Sequence, residues 1–154
     1  MSGFVFSQRF DSLPGENGLH LEICEKYPGD EALLPFYYYD IFVERQAVGK
    51  ISIRIGDNYH AYYNGHVGYE IDEPFRGRRL SLAALRLVLP VARWHGMTRL
   101  YLTCDASNEA SRRIIEAAGG RLLEICPIPR DYFAWYEGIE DHRIYQLDLE
   151  RICP

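Results

Sequence analysis

Residues 75–85 read FRGRRLSLAAL, and this stretch decides how the chain is organised. Three arginines, Arg76, Arg78 and Arg79, flank Gly77 and run directly into a strongly apolar segment. Upstream, HVGYEI (66–71) has the residue types of a strand, and Pro74 helps turn the chain. Downstream, residues 81–95 have helical length, with Leu82, Leu85, Leu89 and Ala92 on one face. A strand, a turn and a helix in that order leave the amides of residues 77–81, Leu80 and Ser81 among them, without internal partners. Those amides and the neighbouring guanidiniums make an anion site. The plainer alternative, a solvated basic turn, sets cations against the positive end of the helix dipole.

Working outward, the pattern predicts strands at 19–26, 36–44, 47–55, 66–71, 98–104, 121–125 and 142–150. The second and third form a hairpin around Arg45 and Gln46; Ile51, Ile53 and Ile55 alternate with Ser52 and Arg54. Residues 27–34 read as a connection and 56–65 as a polar, aromatic loop. Gly68 marks a bulge or a close approach of backbone. Pro90 predicts a kink in the first long helix, and Gly96 its end. A second helix spans 105–120, with Asp105, Ser107 and Asn108 as caps, Ala110, Ile114 and Ala118 on one face, and Gly119-Gly120 as its stop. Strands first, then strand-helix-strand-helix-strand, describe one mixed α/β (α+β) domain over 1–154.

The 154 residues are ordinary in bulk, 47% hydrophobic and 25% charged. A net charge of -5 argues against nucleic-acid binding, which wants a basic face. Lysine occurs only at 26 and 50, so the positive charge is nearly all arginine, whose planar fork suits phosphate and carboxylate. No apolar run approaches the length of a membrane span. The N-terminus lacks the features of a secretory signal, and Cys24, Cys104, Cys126 and Cys153 match no metal or redox spacing. The expectation is a cytoplasmic protein with reduced thiols and no metal.

Residues 66–120 resemble the acetyl-CoA-binding core of the GCN5-related N-acetyltransferase (GNAT) superfamily. Arg76-Gly77-Arg78-Arg79-Leu80-Ser81 matches that family's Q/R-x-x-G-x-G/A turn, with Arg79 where glycine is expected and Ser81 where glycine or alanine is. Asn108, Ser111, Ile114, Glu116 and Gly119 match its N-x-x-[AS]-x-x-hydrophobic-x-E-x-x-G helix. The resemblance implies a mostly antiparallel sheet whose fourth and fifth strands splay, with helices on its flanks. Pantetheine would lie in the splay against Tyr69 to Ile71, the pyrophosphate on Arg76, Gly77, Arg78, Arg79, Leu80 and Ser81, with Asn108 and Ser111 beside it. Asn108 is equally well placed as a plain helix cap.

The implied reaction is direct acetyl transfer from acetyl-CoA to an amine of a small molecule or peptide. The amine arrives protonated, so a base is needed. Glu70 is the first candidate, then His66 and His60. The family's tyrosine acid maps to Ile115 and is absent; Tyr132, Tyr136 or solvent would replace it. Four aromatics and four acids within 127–142 suggest a cationic acceptor. The two helices usual between the family's first two strands are reduced to YPGDEALL, which leaves the acceptor side open or completed by a second subunit, as in a homodimer. The alternative function is a non-catalytic acyl-CoA-binding or sensing domain, kept open by Arg79, Ser81 and Ile115.

Overall fold

The computed structural model describes residues 4–153. A short strand β1 (Ser12–Pro14) precedes β2 (Leu19–Tyr27), β3 (Phe36–Val43) and β4 (Gln46–Arg54). Then come α1 (Tyr59–Asn64), β5 (Val67–Ile71), α2 (Leu80–Trp94), β6 (Arg99–Asp105) and α3 (Glu109–Ala117), followed by β7 (Arg121–Cys126), β8 (His142–Asp148) and α4 (Leu149–Ile152). The predicted fourth and fifth strands are therefore β5 and β6. Strands β1 to β5 form one antiparallel sheet in chain order, and β6, β8 and β7 form another in that order. The two sheets part company between β5 and β6.

Period-two patterning makes the larger sheet two-faced. Leu21, Tyr37, Tyr39, Ile41, Ile51 and Ile53 are fully buried on the face that α2 covers. Leu82, Leu85, Val88, Leu89 and Val91 of α2 are buried too, so this helix is sunk in the core on more than one side. At roughly 1.5–3 kcal/mol for each large apolar side chain removed from water, this interface is the main stabilising element of the fold. The helix continues through Pro90 to Trp94 and stops at Gly96 (φ 91°).

Three expectations need correction. Residues 56–65 are not only loop: Asn58 caps α1 by accepting from the Ala61 amide at 2.8 Å. The hairpin turns at Glu44-Arg45, one residue earlier than expected, because Glu44 takes the left-handed conformation (φ 56°). Gly68 sits in unbroken register opposite Ser52, so there is no bulge there. Residues 28–35 form no helix, which leaves the second face of the larger sheet without the cover helices would give it.

Candidate active site

His66 is the hinge point of the split. Its amide donates to the Tyr101 carbonyl (2.7 Å) and its Nδ1 accepts from the Tyr101 amide (2.9 Å). Its Nε2 lies 2.8 Å from the Gly56 carbonyl, which assigns the proton to Nε2. The imidazole thus stands in for a strand carbonyl and stitches the sheets together where they begin to diverge. It is fully buried, and burial pulls its pKa down to about 4. The expectation that His66 acts as a base is corrected: both ring nitrogens are committed to main chain and neither reaches an open space.

Beyond that stitch lies a cleft of about 550 Å³ walled by β5, the turn after it and α3. The turn is built stepwise. A single 3-10 turn, Glu73–Phe75, leads to Arg76, whose Nε donates to the Ile71 carbonyl at 2.8 Å. Gly77 follows with φ 87°, a conformation that favours glycine, and no atom crowds the place a Cβ would take. Arg79 is the N-cap of α2 in the left-handed region (φ 57°), and no side chain caps the helix. This explains the glycine expected at 79: the backbone there suits one, and arginine is held at a cost of about 1–2 kcal/mol. The first-turn amides of α2 are left open.

Tyr69, Glu70, Ile71, Arg76, Gly77, Arg79, Leu80, Ser81, Asn108 and Ser111 all line this cleft. Arg78 does not; it is exposed on the outer side of the turn. Arg113, which the sequence reading missed, does line it from α3. Among the described residues no carboxylate lies within ion-pair distance of Arg76, Arg79 or Arg113. The cradle therefore holds three unpaired guanidiniums beside an open helix N-terminus, an arrangement suited to a polyanion.

Deeper in, the Tyr69 hydroxyl lies 2.7 Å from Ser111 Oγ, bridging β5 and α3. Burial pushes the Tyr69 phenol above its usual range, so it is a neutral hydroxyl at physiological pH. Asn108 Oδ1 caps α3 by accepting from the Ser111 amide (3.1 Å), which fixes Ser111 at the cleft wall. Cys104 lies buried nearby, its thiol pushed up by burial and drawn back by Arg143 and Ser111. Glu70 is exposed at the rim. Lys50, opposite it in register, pairs with Asp40 instead (2.7 Å), which leaves the Glu70 carboxylate without a cation partner among the described residues.

Other candidates are placed elsewhere. Tyr136 is exposed and outside the cleft, so its expected role as an acid is corrected. Ile115 is buried, packed against Gly120, and could carry no acid into the cleft without repacking the core. His60 in α1 accepts from the Phe133 amide. Much of the 127–142 loop is already satisfied: Asp131 accepts from Tyr59 (2.6 Å), Glu140 from Ser107 (2.7 Å), and Arg130 covers the Trp135 ring (4.7 Å). Two of the four acids expected to receive a cation, Asp131 and Glu140, and one of the aromatics, Trp135, are thus engaged by the protein's own groups. A larger cavity, about 950 Å³, lies at the far end of α2, but Asp57 and Arg99 pair across it (3.3 Å) and it gathers no comparable reactive set.

Residues 17–121 match the family described as acetyltransferase (GNAT) domain. No curated protein sequence matches the chain. Among solved structures, the chain is similar to RimL, a ribosomal L7/L12 alpha-N-protein acetyltransferase in complex with coenzyme A (23% identity, TM-score 0.59). A Salmonella typhimurium acetyltransferase that modifies the N-terminal serine of L7/L12 is similar at 22% identity and TM-score 0.58. So is MccE, the microcin C7 self-immunity acetyltransferase, in complex with acetyl-CoA and AMP (20%, TM-score 0.57). Each likeness covers 73% of this chain and only 62%, 63% and 61% of the respective partner. At these identities they establish the shared fold.

Proposed function

The chain belongs to the acetyltransferase (GNAT) domain family, and on that premise we propose that it transfers acetyl directly from acetyl-CoA to an amine. The observation that carries this is the cradle of Arg76, Arg79 and Arg113 at the uncapped start of α2, opening onto a sheet split. Diphosphate is the polyanion it suits. β5 is the edge of its sheet, so its outer main-chain groups are free to pair with the two pantetheine amides as an added strand would. The coenzyme complexes of RimL and MccE support the same ligand.

In this reading Glu70 accepts the ammonium proton, and the freed amine attacks the thioester carbonyl carbon. As the C–N bond forms and the C–S bond breaks, Glu70, having passed its first proton to water, takes the proton that the nitrogen sheds. The leaving thiolate, to which the Ser111 hydroxyl held by Tyr69 donates a hydrogen bond, takes its proton from water. Residues 4–153 would act as one domain. The reading also favours a cytoplasmic enzyme, where acetyl-CoA is supplied. A homodimer is supported by β7, a sheet edge exposing Leu122, Leu123 and Ile125; sedimentation of wild type against Leu123→Glu tests it. Thiol release from acetyl-CoA across a panel of amines tests the transfer itself. Tight coenzyme binding with no turnover on any amine would favour a sensing domain instead.

A further inference from the structure

Arg54 closes β4 on the face turned away from α2, in line with Lys50 and Ser52. Gly68 faces Ser52 across the ladder, and its missing side chain makes room for the guanidinium: a Cβ there would lie 3.6 Å from one Arg54 terminal nitrogen and 3.9 Å from the other. The residue is half-buried, and its Nε is fully covered. One terminal nitrogen donates to the Gly65 carbonyl at 3.1 Å, while Nε has no hydrogen-bond partner among the described residues. Among the described residues no carboxylate lies within ion-pair distance. Burial pulls its pKa below the usual range, opposed only by the Tyr132 phenol.

A guanidinium taken out of water with no counter-charge and an orphaned donor is destabilising. The site is primed for an anion at the second terminal nitrogen, which donates to nothing among the described residues; the anion's charge would offset that of the guanidinium, while the covered Nε stays out of its reach. Its place says which. Gly68, over which the guanidinium lies, precedes Tyr69 at the cleft and is two residues from Glu70 on the same face of β5, roughly 7 Å along the strand. Resting on the transferase reading above, we propose that Arg54 binds a carboxylate of the acceptor, so that the enzyme's substrate is an aminocarboxylate whose amine reaches Glu70. This assigns the acceptor side to an anion-bearing amine rather than to a simple cation, in keeping with a loop in which Asp131 and Glu140, two of the four acids, are already engaged.

The test uses glycine, 3-aminopropanoate and 4-aminobutanoate, each against its own carboxamide. The wild-type kcat/KM should favour the carboxylate by about tenfold or more, the worth of one charge-assisted hydrogen bond. Arg54→Gln should bring that ratio to about one, and Arg54→Lys should keep part of it. Equal loss on carboxylates and carboxamides would overturn the proposal and make Arg54 a general stabiliser of the reaction or the fold. Arginine Nε–H resonances of the wild-type protein bound to CoA give a reading free of turnover. The Arg54 signal, identified by its loss in Arg54→Lys, should shift saturably with 3-aminopropanoate and not with its amide. Equal shifts, or none, would refute carboxylate recognition. CoA affinity measured on the same sample reports on the transferase reading separately.

Discussion

The His66 stitch makes a prediction about pH that can be worked through. In the folded chain the imidazole is neutral, with a pKa of about 4 against 6.5 when unfolded. A basic group depressed in this way contributes its stability above the unfolded value and loses it as pH falls toward the folded one. At 1.36 kcal/mol per pKa unit, about 3 kcal/mol is gone by pH 4 and about 2 kcal/mol by pH 5. Against a typical 5–15 kcal/mol total, that is a large fraction. The assay is urea unfolding of wild type and His66→Gln at pH 7.5 and pH 5.0. Glutamine keeps a donor and an acceptor but does not titrate. The variant should be weaker at pH 7.5 by about 1–3 kcal/mol, through imperfect partners for Tyr101 and Gly56, yet lose about 2 kcal/mol less than wild type on acidification. His20, whose pKa is raised by the Glu44 carbonyl and Glu22, and His95, lowered by burial, are common to both proteins and cancel in the comparison. Equal losses in both proteins would refute the reasoning.

Glu70→Gln should lower kcat by about 10²–10⁴ while leaving acetyl-CoA affinity within twofold, as read by steady-state kinetics and calorimetry. Arg79→Gly should weaken acetyl-CoA binding about tenfold by removing a guanidinium from the cradle; its melting temperature should stay within about 3 °C, because relief of the left-handed backbone offsets the added flexibility of glycine. Ile115→Tyr, which puts the family's acid back at its usual position, should destabilise by about 1–3 kcal/mol in urea unfolding and raise no rate, since Gly120 packs directly against that side chain.

The periodic elements were legible. Alternation in β3 and β4 and the apolar stripe of α2 carry enough local information to place them within a residue; α3 was expected over 105–120 and is shorter, Glu109–Ala117, because Asp105 still pairs in β6 and Asn108 caps the helix. The turn from Arg76 to Ser81 was legible as a basic turn leading into a helix because it is written in consecutive residues. What escaped depends on contacts distant in sequence. Strand β1 is three residues long and owes its existence to pairing with β2. Helix α1 was hidden because YHAYYN is rich in aromatics, weak helix formers, and is held by the Asn58 cap and its packing on β6 and β8. Arg113 had a signal that went unused: it lies three residues after Ala110, on the helix face that Ile114 and Ala117 extend along the cleft. His66 was read by its intrinsic pKa, whereas its environment decides its role, and only the Tyr101 and Gly56 contacts reveal it. Arg54 looked like the solvent-facing partner of an alternating strand, and the space left by Gly68 is what lets it fold inward.

Calorimetric titration with acetyl-CoA and with acetyl-pantetheine, which shares the thioester arm but lacks the diphosphate, addresses the cradle most directly. One acetyl-CoA per chain should bind, about a hundredfold more tightly than the truncated thioester, with an affinity that falls as salt is raised. Equal affinity for the two thioesters, or no heat from acetyl-CoA at any ionic strength, would contradict a diphosphate held by Arg76, Arg79, Arg113 and the open amides of α2.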